Sequence, residues 1–199
     1  MKPAFRIAAA LACVALALPG CDRIASSKTP FKGIDVTGAA MGRDLHLTDH
    51  NGTPRSLADF RGKVVVVNFG YTQCPDVCPT TLADLASAVK KLGPDASRVQ
   101  VLFVTVDPRR DKPELLKQYV PAFNPDFLGL YGDEAATKKA TGEFKVYAQE
   151  RAGKTADTYT VDHTAQTFAF DKEGRLRLVF AYGATPEAMA SDFRILLNS

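Results

Sequence analysis

Two cysteines carry the most pronounced chemical signal in this chain. Cys74 and Cys78 stand with three residues between them within Phe69-Gly70-Tyr71-Thr72-Gln73-Cys74-Pro75-Asp76-Val77-Cys78-Pro79. At that spacing the two sulfurs can reach each other or share one ion. Three chemistries follow: a structural disulfide, a dithiol redox couple, or half of a metal site. A disulfide closing so small a loop stabilises little. Two thiolates alone are an incomplete ligand set, so a metal site needs another donor from elsewhere in the chain. Pro79 suits the first position of a helix and biases Cys78 away from helical geometry. Cys78 is thereby expected near a helix N-terminus, where the positive end of the dipole favours thiolate over thiol.

The elements that must position this pair are legible on either side of it. Val64–Phe69 is a continuous run of β-branched and aromatic residues around a single asparagine, as a central parallel strand buried on both faces requires. Residues 79–92 set Leu82, Leu85, Ala86, Val89 and Leu92 along one helical face, and Gly93-Pro94 stops the helix. A second buried strand is expected at Val99–Val106, then a helix at Pro113–Val120, a strand at Phe127–Leu130 and a helix at Glu134–Thr141. Thr164–Phe170 and Leu176–Phe180 read as strands joined by the hairpin signal Asp171-Lys172-Glu173-Gly174. Met189, Phe193, Leu196 and Leu197 share one face of a terminal helix over 186–197. Upstream, 33–60 holds short apolar stretches and the turn Asp49-His50-Asn51-Gly52, a small hairpin. This order defines an α/β chain, a thioredoxin-like three-layer α/β/α sandwich with an N-terminal β-hairpin extension. The cysteine motif then occupies the loop at the carboxyl end of a strand, where open α/β sheets present reactive groups.

That topology discriminates among the three histidines. His46 and His50 lie in a polar, alternating segment and read as solvated side chains near the hairpin. His163 lies immediately ahead of the strand at 164–170, in a loop that faces the cysteine loop across the sheet edge. It occupies the place where dithiol oxidoreductases of this fold usually carry a cis-proline. No proline occurs between Pro125 and Pro186, and those oxidoreductases space their cysteines by two residues rather than three. Both features weigh against dithiol redox catalysis and toward His163 as a third metal ligand.

The first twenty residues read as an export signal: Lys2 and Arg6 precede an apolar run from Ile7 to Leu18, ending at Gly20. The run is shorter than the roughly 20 apolar residues that span a bilayer. Cys21 after Leu18-Pro19-Gly20 resembles the lipobox of bacterial lipoproteins, in which that cysteine is lipidated and becomes the mature N-terminus; the other reading is an ordinary secretory signal with an incidental cysteine. Asp22 resembles the signal that retains such lipoproteins at the inner membrane. Residues 21–32 then form a lipidated N-terminus and linker, and 33–199 the folded domain. Without Lys2 and Arg6, 23 of the 25 basic residues remain against 22 acidic ones. So balanced a charge gives no electrostatic footprint for nucleic acid. A hydrophobic content of 46% without tryptophan describes an ordinary soluble domain rather than a disordered or membrane-embedded one.

Several blocks together resemble one family. Phe69-Gly70-Tyr71-Thr72-x-Cys74-Pro75-x-x-Cys78-Pro79, then Val104-Thr105-Val106-Asp107-Pro108-x-Arg110-Asp111, then Val161-Asp162-His163-Thr164-Ala165, then Tyr182-Gly183-Ala184-Thr185-Pro186-Glu187 are similar, in order and spacing, to the Sco/SenC copper-delivery proteins. The resemblance implies a membrane-tethered, thioredoxin-like protein that binds copper through Cys74, Cys78 and His163. It also implies a role in assembling the dinuclear copper centre of cytochrome c oxidase, whose copper-carrying subunit is the partner. A further periplasmic copper carrier or a thiol reductase are candidate partners, and the periplasmic face of the bacterial inner membrane is the expected location. Two thiolates and an imidazole form a soft site suited to Cu(I), and with a water or borrowed ligand to Cu(II). Oxidising Cys74 and Cys78 to a disulfide would release the metal.

Asp162 is a candidate to orient the loop or hydrogen-bond the imidazole of His163. Asp107-Pro108-Arg109-Arg110-Asp111 has two readings: a turn with Asp111 capping the helix near Pro113, or, as the resemblance implies, charges shaping the rim of the site or a partner surface. The leading functional reading is a non-enzymatic copper chaperone. The alternative is a thiol:disulfide oxidoreductase that reduces the cysteines of the recipient copper site. A peroxide-reducing thiol enzyme fits less well, with Thr72 and Arg110 only distant candidates for its threonine and arginine.

Overall fold

The computed structural model describes residues 30–153 and 158–199. The expected signal segment, Cys21, Asp22 and the linker up to residue 29 lie outside the described residues. In chain order the strands are β1 (Ile34–Asp35), β2 (His46–Asp49), β3 (Pro54–Ser56), β4 (Val64–Gly70), β5 (Val99–Thr105), β6 (Leu128–Tyr131), β7 (Ala148–Ala152), β8 (Tyr159–His163), β9 (Thr167–Phe170) and β10 (Leu176–Phe180). The helices are α1 (Val77–Lys90), α2 (Pro113–Tyr119), α3 (Glu134–Glu143) and α4 (Pro186–Asn198). Eight strands form one sheet in the order β1-β10-β9-β4-β5-β6-β2-β3, and β7 and β8 form a separate pair.

The centre of the sheet follows from its sequence. β4 runs parallel to β5, Val64 opposite Val99 through Gly70 opposite Thr105, and every residue of both strands is buried. Strands covered on both faces demand such unbroken apolar runs. The two faces of β4 meet different layers. On one, the α-carbon of Gly70 lies so close to α1 that an added Cβ would stand 2.7 Å from the Cys78 sulfur and 2.7 Å from the Phe103 ring. Tyr119 of α2 packs on Phe103 from the same side, and α4 packs on α1 while Phe193 meets Phe180 edge-on. On the other face, Phe69 packs edge-on against Phe144, just past α3, and Phe168. The result is the three-layer sandwich, with α1, α2 and α4 on one side and α3 on the other. The chain enters it through a buried carboxylate, since Asp192 of α4 accepts the backbone N–H groups of Lys32 and Gly33.

The structure departs from the sequence reading in four places. The strand expected at 164–170 begins only at Thr167 as β9, and the residues before it form a further strand, β8, that pairs with β7. All five residues of β7 are exposed, so the strand carries no apolar alternation to betray it. Helix α1 begins at Val77, not Pro79, and includes Cys78. Pro79 is tolerated there because first-turn amides lack intrahelical acceptors in any case. The N-terminal hairpin forms as expected from β2 and β3, with His46 opposite Ser56, but β2 also pairs with β6 and so extends the main sheet.

The fourth departure is His50. It is 7% exposed rather than solvated: its backbone N–H donates to the Gly129 carbonyl at 2.8 Å, and its Nδ1 accepts the Gly129 N–H at 3.0 Å. Burial pushes its imidazole below the ordinary histidine value; Lys117 acts in the same direction and Asp49 opposes it. The folded protein therefore holds a neutral ring that the unfolded chain protonates near pH 6.5. The stability this contributes is present above that pH and is lost as pH falls below it. Urea midpoints should accordingly drop more between pH 7.5 and 5.5 in the native protein than in His50→Gln, and equal drops would refute this.

Candidate metal centre

Cys74 and Cys78 are both free thiols, the first half-buried and the second 1% exposed. The loop leaving β4 turns back so that the Cys74 N–H donates to the Tyr71 carbonyl at 3.2 Å. The Cys74 sulfur in turn accepts the Cys78 N–H at 3.4 Å, satisfying one of the open amides at the start of α1. Across the gap, His163 ends β8 and brings its Nε2 to 3.4 Å from the Cys78 sulfur. Its Nδ1 lies 3.1 Å from the Val161 carbonyl, which can only accept. Nδ1 therefore carries the proton, and the lone pair of Nε2 faces the sulfur. The Tyr71 ring stands edge-on to the imidazole, centroids 5.7 Å apart, and fixes its plane.

Cys78 differs from the sequence expectation in its ionisation. Burial pushes its thiol well above the ordinary value, with the Cys74 and Asp111 charges adding to the effect. Desolvation thus outweighs the helix N-terminus, and without metal Cys78 is a neutral thiol. A cation bound here must displace that proton. Among the described residues, no three His, Cys, Asp or Glu side chains stand close enough together to hold an ion as placed. Cys78 and His163 already meet, and joining Cys74 to them requires a local adjustment of its loop. The donor types fit a soft cation.

Asp162 is placed away from this centre. Neighbouring strand residues face opposite sides, so Asp162 points outward and pairs with Arg151 Nε at 2.7 Å, and the Val161 carbonyl holds the imidazole instead. Asp111 is not the cap of α2 either, since that position belongs to Lys112. Asp111 is 1% exposed and lies beneath the cysteine loop, where it accepts the Thr72 N–H at 3.0 Å, the Thr72 hydroxyl at 2.6 Å and the Thr105 hydroxyl at 2.7 Å. Burial raises its pKa and these bonds oppose the rise. Arg110 pairs with buried Asp107 through Nε, and its Nη1 donates to Gln73 Oε1 at 3.1 Å and to the Tyr159 carbonyl at 2.9 Å. Thr72 and Arg110 are thereby committed to carboxylates rather than poised for peroxide chemistry. Tyr71, Tyr159 and the carboxylate of Asp107 belong to the surroundings of the site; the sequence offered Asp107 among charges at its rim but gave no role to either tyrosine. The only signal was the density of charge in 107–111, which a turn explains equally well.

A thioredoxin-like sandwich whose sheet edge joins a C-x-x-x-C loop to a histidine on a separate hairpin defines a narrow class of proteins. The SCO1/SenC family model matches residues 35–198, and the chain belongs to that family. It is 38% identical over 136 residues to the SCO2-like protein RP587 of Rickettsia prowazekii, covering 68% of this chain and 66% of that protein. The match to the mouse mitochondrial SCO2 homolog spans 62% of its length, so the chain covers a little under two thirds of these relatives. Among solved structures, ScoI of Bradyrhizobium japonicum with copper bound superposes with a TM-score of 0.72 at 39% identity, covering 79% of this chain and 99% of that one. Apo Sco1 of Thermus thermophilus gives 0.71 at 42% identity, covering 86% and 98%. No helix among the described residues is long and apolar enough to cross a membrane.

Asp111 supplies a test of this architecture. If it capped a helix, its loss would cost about 1 kcal/mol. As the acceptor of three buried bonds, Asp111→Ala should cost about 3 kcal/mol, read from denaturant unfolding, because two threonines lose their partner. A loss at the capping level would contradict the buried role.

Proposed function

We propose that this protein is a membrane-tethered copper carrier in which Cys74, Cys78 and His163 bind the ion as cargo. It delivers the ion to the dinuclear copper site of cytochrome c oxidase, from the periplasmic face of the bacterial inner membrane. The observation that carries the reading is the 3.4 Å approach of His163 Nε2 to the Cys78 sulfur, two residues 85 positions apart in the chain. A pure dithiol oxidoreductase has no need of that imidazole. The buried, protonated thiol of Cys78 also makes a poor attacking nucleophile. Membership of the family and the copper-bound ScoI relative support copper as the cargo. Two thiolates and one imidazole suit Cu(I), and an additional donor admits Cu(II). A three-ligand site leaves room for a receiving protein's ligand to enter before the carrier's own ligands leave. The anchor is a lipid on Cys21, which would hold the domain at the membrane without a spanning helix.

The reduced protein should bind one copper ion per chain by elemental analysis. Cys74→Ser and Cys78→Ser should each remove most of the affinity, because a hydroxyl is a hard ligand. His163→Ala should fail to restore oxidase activity in a deletion strain at limiting copper, while Cys74 and Cys78 still cycle between dithiol and disulfide. Full rescue by His163→Ala would favour the reductase reading instead. For the anchor, Cys21→Ala should leave the protein unprocessed or release it in soluble form. A processed native protein that washes off membranes with salt alone would exclude lipidation.

A further inference from the structure

The strand that carries His163 is weakly built. β7 and β8 form a two-stranded sheet apart from the main one, and every residue of β7 is exposed. A lone hairpin of this kind is marginal in water. Val161, 5% exposed, is its buried foothold, and at its base Thr164 and Tyr147 exchange two hydrogen bonds. On the cysteine side the hairpin meets Tyr71, which is hydrogen-bonded to the Val161 backbone and edge-on to His163, and the Cys78 sulfur.

Arg110 adds a tie from a third segment. From the loop after β5, its Nη1 donates both to Gln73, next to Cys74, and to the Tyr159 carbonyl at the start of β8. Its guanidinium lies 3.6 Å from the centroid of the Tyr159 ring and 5.5 Å from that of Tyr71, the ring that braces His163. Its Nε pairs with Asp107, which also accepts the Tyr159 hydroxyl at 2.8 Å. One side chain thus joins the loop after β5, the cysteine loop and the histidine strand. The group is largely enclosed, with its side chain 19% exposed and its Nη2 buried without a hydrogen-bond partner. A side chain concerned only with neutralising Asp107 would have no reason to bury an unused donor. A planar fork can bond in three directions while stacking on two rings, and an ammonium cannot.

We propose that Arg110, together with Tyr159, is a positioning residue that latches the β7–β8 hairpin to the cysteine loop and so sets the distance between His163 and Cys78. The proposal rests on the copper-carrier reading for its consequence, since a preset imidazole is worth affinity only to a site that uses it. Arg110→Lys is the informative variant, because it keeps a positive charge beside buried Asp107. Cu(I) affinity of the reduced full-length protein, measured by competition with a chromogenic chelator, should fall about tenfold on Arg110→Lys. The same change made on top of His163→Ala should have less than about a twofold effect, the signature of coupled residues. Equal losses in both backgrounds would overturn the proposal, since Arg110 would then act on the fold or the cysteines alone.

A second measurement needs no metal. Deuterium exchange of the β7–β8 amides should accelerate about tenfold in Arg110→Lys and also rise in Tyr159→Phe, while β4 and β5 remain protected. Unchanged hairpin exchange would overturn the latch whatever copper does. Faster hairpin exchange, with a Cu(I) affinity that His163→Ala does not alter, would uphold the latch and place the failure in the assignment of His163 as ligand.

Discussion

A strand buried on both faces has no room for polar chemistry along its length, and that constraint arranges everything else in this protein. β4 is apolar or glycine throughout except for Asn68, whose amide donates to the hydroxyl of Thr167 on β9 at 3.1 Å. The strand ends at Gly70, and the chemistry begins in the loop beyond it, where Thr72 is the first residue that is not fully buried. The last strand position must be glycine, because α1 is drawn down until the Cys78 sulfur lies against the backbone there. That close approach takes Cys78 out of water, keeps its thiol protonated and leaves Cys74 as the more accessible of the two sulfurs.

The cysteine loop has little of its own to hold it in shape. It is held from below by charge that the fold buries for the purpose. Asp111 binds Thr72 from the loop and Thr105 from β5, so that the ends of the two central strands share one carboxylate. Asp107 and Arg110 perform the equivalent service sideways, toward the hairpin. A buried ion pair seldom adds net stability, because desolvation offsets its attraction. Here Asp107 and Arg110 tie the loops leaving the paired strands β4 and β5 to the hairpin, which lies outside the main sheet.

The division of labour between rigid and weakly built parts is consistent with the proposed role. The Cys78 sulfur is buried at the junction of β4 and α1, and Cys74 stands half-buried in the loop just before it. The imidazole sits on a two-stranded hairpin with an exposed outer strand. A carrier must bind its ion and also surrender it, and a site with two ligands beside the core and one on a detachable arm can open by a local motion rather than by unfolding.

The central strands, the four helices, both hairpins flanking the sheet and the approach of His163 to the cysteine loop were legible in the chain itself. Apolar runs, helical spacing and turn residues report burial and local geometry directly, and each extends over enough residues to be unambiguous. The hairpin β7–β8 was not legible, because a strand exposed on both sides carries no pattern. The roles of His50, Asp111 and Asp162 could not be read either. A histidine in a turn, an aspartate before a helix and an aspartate beside a histidine look the same in sequence whether they face water or protein. Sequence by itself determined which residues could form the core and which types could bind a soft ion. Tertiary structure alone decided which polar groups lost their water, because desolvation and hydrogen-bond partners come from segments tens of residues away.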